Sequence, residues 1–207
     1  MTDLGFIHRF KPGKSAQTLL LLHGTGGNED DLLELGGAID PDAALLSPRG
    51  KVLENGAPRF FRRLAEGVFD EQDVVRRASE LSKFVTAAVE TYQVDPKRLV
   101  AVGYSNGANI AAAMMLLDVA GFTMAILFRP MVPLSNLPAQ PNLAGASALL
   151  AAGKYDPIAR PAIVQELSDL LRRSGARVDL RINLSGHELT SEDVTAAREW
   201  LAQTIDV

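Results

Sequence analysis

The chain has 207 residues, 47% of them hydrophobic and 22% charged, with a formal net charge of −4 at pH 7. That length suits one domain with its own core, and the acidic balance argues against a nucleic-acid partner. Cysteine is absent, which excludes disulfides, thiolate metal ligands and a cysteine nucleophile. No apolar run approaches membrane-spanning length, the nearest being Thr18 to Leu22, so no membrane association is expected. The start, Met1-Thr2-Asp3-Leu4-Gly5, lacks the basic and apolar regions of a secretory signal, and a cytoplasmic protein is expected.

In chain order, residues 6–10 read as a strand, followed by a hairpin-type turn at Lys11-Pro12-Gly13-Lys14. Ala16 to Leu22 is a continuous apolar strand ending in His23-Gly24-Thr25-Gly26-Gly27-Asn28. Leu32, Leu33 and Leu35 give Asp30 to Ile39 helical spacing, which Asp40-Pro41 stops. Ala43 to Leu46 is a short strand, and residues 47–69 then show no periodicity and read as one long loop. A loop of that length in a compact domain is either functional or wrongly assigned. Asp70 to Gln93 predicts a long amphipathic helix with Val74, Val75, Leu81, Phe84, Val85, Ala88 and Val89 in its buried stripe.

Leu99 to Ala113 combines an aliphatic strand, Gly103-Tyr104-Ser105-Asn106-Gly107, and an alanine-rich helix. A serine at the tip of such a strand–turn–helix takes a strained backbone, and Gly103 and Gly107 remove the Cβ atoms that would clash. The hydroxyl is then exposed above the strand ends, over a helix N-terminus that favours negative charge. Further strands follow at Ala125 to Phe128, Ala148 to Ala152 and Val178 to Asn183, with a helix at Arg160 to Arg173. Thr190 caps a last helix, with Asp193 placed as in a capping box. The alternation predicts an α/β fold, mainly parallel, with helices on both faces in a single domain over residues 1–207.

A serine hydroxyl needs a base to take its proton and a third group to orient that base. Ser105, Asp156 and His187 each stand at the carboxyl end of a predicted strand, where parallel sheets gather their chemistry. Their order, Ser then Asp then His, is that of the α/β-hydrolase triad. Asp179 and Glu188 are alternatives for the carboxylate. Of the other histidines, His8 reads as a strand residue and His23 as a buried imidazole bracing its loop. An oxyanion formed at Ser105 would meet two backbone N–H groups, from Asn106 and from the 23–28 loop, with Thr25 the favoured donor there. Gly24-x-Gly26 also opens a dinucleotide fingerprint, but position 29 is Glu, and no acidic residue follows the next strand.

Six stretches, His23-Gly24-Thr25-Gly26-Gly27-Asn28, Ser47-Pro48-Arg49-Gly50, Arg59-Phe60-Phe61-Arg62-Arg63, residues 103–109, Gly153-Lys154-Tyr155-Asp156-Pro157 and Gly186-His187-Glu188-Leu189, together resemble the small carboxylesterase/phospholipase family. That family includes acyl-protein thioesterases and bacterial hydroquinone-linked carboxylesterases, and the chain is more similar to the latter. The resemblance implies an α/β-hydrolase domain without a cap, a Ser105/Asp156/His187 triad, and an oxyanion hole at Thr25 and Asn106. Arg129 departs from it, standing where a histidine is expected in close relatives; facing the pocket, it would alter substrate preference.

Two loops are expected to rim the serine. Arg49 to Arg63 supplies a basic rim with Phe60 and Phe61, and Met131 and Val132 supply an apolar wall. One reading is a site for a small ester carrying a carboxylate, held by Arg49; the other is a solvated basic loop with its aromatics in the core. The expected activity is cleavage of small carboxylic esters without metal or organic cofactor. An acyl thioesterase or lysophospholipase, and a non-catalytic hydrolase-fold ligand-binding protein, are the alternatives. The expected partner is a small-molecule ester, with a homodimer left open.

Overall fold

Thr18–Leu22 is buried along its whole length, as are Ala44–Pro48 and Ser147–Gly153. Strands apolar on both faces belong inside a parallel sheet covered on both sides. The computed structural model describes residues 4–137 and 139–205, so Met1, Thr2 and Asp3 of the start read above lie outside it. It places these strands in a seven-stranded sheet.

The elements, in chain order, are β1 (His8–Lys11), β2 (Thr18–Leu22), α1 (Leu33–Ile39), β3 (Ala44–Pro48), β4 (Val52–Glu54), β5 (Ala57–Arg59), β6 (Arg63–Ala65), β7 (Val68–Phe69), α2 (Glu71–Tyr92), β8 (Leu99–Tyr104), α3 (Asn106–Leu116), β9 (Met124–Phe128), β10 (Ser147–Gly153), α4 (Pro161–Arg173), β11 (Arg177–Asn183) and α5 (Ser191–Ile205). The main sheet runs β1-β3-β2-β8-β9-β10-β11. Only β1 is antiparallel to its neighbour.

Alternate residues of each strand feed opposite faces, as the pleat requires. Leu20, Leu22 and Ala101 pack with α2, α3 and α4, while Leu19, Leu21, Val100 and Val102 pack with α1 and α5. Asp70 caps α2 by accepting from the Asp73 N–H, and Gln93 ends it in a left-handed conformation. Among the described residues no helix is long and apolar enough to cross a membrane.

Three expectations need correction. The first strand makes no hairpin with β2: β1 is half-buried and takes the sheet edge beside β3, because the fully apolar β2 needs a strand on each side. The turn after it lies against β3 instead, Lys14 and Ser15 donating to the Asp42 carbonyl. The helix expected from Asp30 begins at Leu33. Residues 47–69 are not one loop. They complete β3 and then form two small antiparallel hairpins, β4–β5 and β6–β7. Asn55 and Gly56 both have positive φ, 52° and 84°, which marks the first turn as the kind that Asn-Gly favours. Strands of two or three residues are too short to show a period.

Candidate active site

The carboxyl ends of β2, β8, β9, β10 and β11 converge on one edge of the sheet. After β8 the chain reverses at Ser105, whose φ of 52° and ψ of −111° lie outside the ordinary wells. The glycines explain how this is tolerated. A Cβ on Gly107 would overlap the Leu22 carbonyl at the end of β2, and one on Gly103 would meet the backbone of Ala108. The helix can therefore start directly under the serine.

Ser105, His187 and Asp156 are brought together from three loops. His187 Nε2 lies 3.0 Å from Ser105 Oγ, and His187 Nδ1 lies 2.7 Å from Asp156 Oδ2. Asp156 Oδ1 accepts the N–H groups of Ile158 and Ala159 at 2.8 and 2.9 Å, which leaves Oδ2 for the imidazole. With Nδ1–H donated to the carboxylate, Nε2 carries the lone pair that can accept the serine proton. Tyr104 supports the imidazole: its hydroxyl donates to the His187 carbonyl at 3.1 Å, and its ring lies 5.6 Å from the His187 ring. Burial raises the Tyr104 pKa, so the phenol keeps the proton it donates. The alternative carboxylate Asp179 is engaged by Arg181.

Thr25 and Asn106 both line the cavity that holds Ser105 and His187. Neither backbone N–H has an acceptor among the described residues. Asn106 also acts through its side chain, Oδ1 accepting the Phe60 N–H at 2.7 Å. One turn on, Asn109 Oδ1 accepts the Met131 N–H at 2.7 Å. The start of α3 thus ties down both rims. His23 is the expected brace: Nδ1 donates to the Gly24 carbonyl at 2.6 Å and Nε2 accepts the Gly50 N–H at 2.9 Å. His8 lies in β1, within hydrogen-bond distance of the Tyr92 hydroxyl.

The cavity, about 210 Å³, is walled by Arg59, Arg63, Phe69, Asn109, Met131 and Ile158 beside the groups already named. Larger hollows of about 360 and 400 Å³ lie elsewhere, between β11 and α5 and around residues 115–123, away from Ser105 and His187. Of the residues expected to bind substrate, Met131 lines the cavity while Val132 packs on the core. The others lie apart from it. Arg49 is held by Glu29 through two bonds of 2.5 and 2.8 Å, which keep Glu29 below the usual carboxylate range. Phe60 lies on the His23 ring and Phe61 against Phe69, both buried. Arg129 is wholly buried against Asp193 and points away from the cavity's lining. The arginines on the wall are Arg59 and Arg63, two members of the expected basic rim. Tyr104 and Asn109 stand inside the 103–109 stretch without a role of their own being read from it, and Ile158 follows Asp156-Pro157 with no signal of its own.

A mainly parallel sheet with a strained serine at the β8–α3 turn defines an α/β hydrolase. The match to the phospholipase/carboxylesterase family extends over residues 9–205, and the chain belongs to that family. It is 50% identical over 198 residues to the protein named "Putative hydrolase MhqD" of Bacillus subtilis, covering 96% of this chain and 98% of that one. The Bacillus cereus carboxylesterase superposes with a TM-score of 0.92 at 47% identity, over 96% of this chain and 94% of that chain. A carboxylesterase from Mesorhizobium loti gives 0.93 at 35% identity, over 98% and 97%.

Proposed function

We propose that this hydrolase is a serine carboxylesterase acting on small acyl or aryl esters through an acyl-enzyme. The observation that carries the reading is the continuous Ser105–His187–Asp156 hydrogen-bonded relay, at 3.0 and 2.7 Å. His187 Nε2 takes the proton as Ser105 Oγ adds to the ester carbonyl, and Asp156 stabilises the imidazolium. The oxyanion is met by the N–H groups of Thr25 and Asn106; such a donor typically contributes about 2.7–4 kcal/mol. Collapse expels the alcohol, which takes the proton from His187. Water then enters, gives a proton to the same nitrogen and releases the acid, with Ser105 restored. No step calls on a metal or organic cofactor. Met131 offers the apolar wall, and a cavity of about 210 Å³ favours short esters over long acyl chains.

A fluorophosphonate probe should label Ser105, and Ser105→Ala should lose labelling and about 10⁶-fold in kcat if subtilisin is a guide. Near-normal turnover by that variant would refute the assignment. Matched oxygen and thiol esters compared by kcat/KM separate an esterase from a thioesterase.

A further inference from the structure

The wall of the Ser105 cavity carries more hydrogen-bond donors than the esterase steps use. Arg59, at the end of β5, is 2% exposed. Its Nε donates to the Phe61 carbonyl at 3.2 Å and its Nη1 to Thr25 Oγ1 at 2.7 Å. That leaves Nη2 without a hydrogen-bond partner among the described residues. Arg63, on β6, donates Nε to Glu54 Oε1 at 2.9 Å, and its two Nη groups have no acceptor among the described residues. Glu54 Oε2 also lies 3.2 Å from Arg59 Nε, so one carboxylate serves two guanidinium groups and one positive charge is left over. The third donor belongs to Asn106, 2% exposed. Its Oδ1 is committed to Phe60, and its Nδ2 is buried without a partner. The buried Asn106 amide is left unanswered at a cost, and the unpaired Nη groups of Arg59 and Arg63 belong to residues that line the same cavity.

Resting on the esterase reading, we propose that Arg59, Arg63 and the Asn106 amide form a carboxylate-binding subsite beside Ser105, so that the enzyme selects small esters bearing a free carboxylate. A planar guanidinium edge matches two carboxylate oxygens, and such charge-assisted bonds are roughly twice as strong as neutral ones. Glu66 carries the opposing charge on the exposed β6–β7 turn at the cavity mouth. Selection therefore rests on the short-range fork inside the cavity rather than on bulk attraction. The competing account makes Arg59 only a brace for Thr25. It predicts equal losses on every ester when Arg59 is changed, and nothing specific for Arg63.

The test compares kcat/KM within two matched pairs: monoethyl succinate against ethyl butyrate, and 4-acetoxybenzoate against 4-methylphenyl acetate. The first pair places the carboxylate on the acyl group, the second on the leaving group. In the unaltered enzyme at least one pair should favour the carboxylate by about tenfold, the size expected of one charge-assisted contact. In Arg63→Gln and Arg59→Gln that ratio should fall toward one. Ratios near one in the unaltered enzyme, or unchanged in both variants, overturn the proposal; Arg63→Gln keeps it testable if Arg59→Gln fails to fold. Should no ester be turned over, calorimetric titration of Ser105→Ala with succinate decides. Binding weakened about tenfold by adding Arg63→Gln supports the subsite while the esterase reading falls. Absent or unaltered binding removes the subsite too.

Discussion

Arg129 and Asp193 form a buried two-point ion pair, Nη1 to Oδ1 at 2.9 Å and Nη2 to Oδ2 at 2.8 Å, behind the loop that carries His187. The same guanidinium donates to the Gly186 carbonyl, Ser185 Oγ and the Glu188 carbonyl at 3.0, 2.9 and 2.8 Å. Asp193 in turn accepts the Thr190 N–H at the start of α5, and the Arg129 charge helps hold its carboxyl below the usual range against burial. Arg129 keeps a φ of 53° to make these bonds, a left-handed conformation that persists only when the surroundings enforce it.

Arg129→Met should therefore destabilise the fold by about 3–5 kcal/mol, since it strands a buried carboxylate. It should also lower kcat through the loosened His187 loop, with less effect on KM. Pairing it with Asp193→Leu should recover part of the stability but not the turnover. Urea unfolding and steady-state kinetics on the single and double variants check this; a kcat that follows stability alone would make the pair merely structural.

The close fit of α3 under the elbow gives a second expectation. Gly107→Ala places a methyl group against the Leu22 carbonyl, which is backbone and cannot swing aside. The cost should reach at least the upper end of the usual overpacking range, about 3 kcal/mol, with activity lost as β2 and β8 are forced apart. A protein of unchanged melting temperature and activity would contradict it.

His23 sets a pH dependence. Burial, the largest influence, lowers its pKa, so the folded chain resists a proton that the unfolded chain accepts near its ordinary value of about 6.5. The unfolded state then binds more protons, and stability rises with pH through that window. The His23 contribution is complete above about pH 6.5 and drains away as pH falls below it toward the folded pKa. Protonation would also cost Nε2 its bond from Gly50. Melting temperatures between pH 7.5 and 5 should fall more steeply for the unaltered protein than for His23→Gln. Parallel curves would remove His23 from the account.

Much of the site was legible because its signals are local. The Gly103–Gly107 turn, the apolar run of β8 and the small residues of α3 are a contiguous pattern whose sterics can be worked out without coordinates. Chain order and strand ends made Ser105, Asp156 and His187 the leading candidates, with Asp179 and Glu188 still open as the carboxylate. The short hairpins were less legible, although Asn55-Gly56 was a turn signal that could have located one of them.

The alternation of strands and helices, the strained serine and the polar residues at strand ends can all be read along the chain, because periodicity and turn chemistry act within a few positions. Which arginines meet the cavity was settled by folding. Arg49 found Glu29, 20 positions away, and Arg129 found Asp193, 64 away, while Arg59 and Arg63 share Glu54 and keep donors free. A charge settles on the partner nearest in space, and distance in space is what a linear order of residues does not contain.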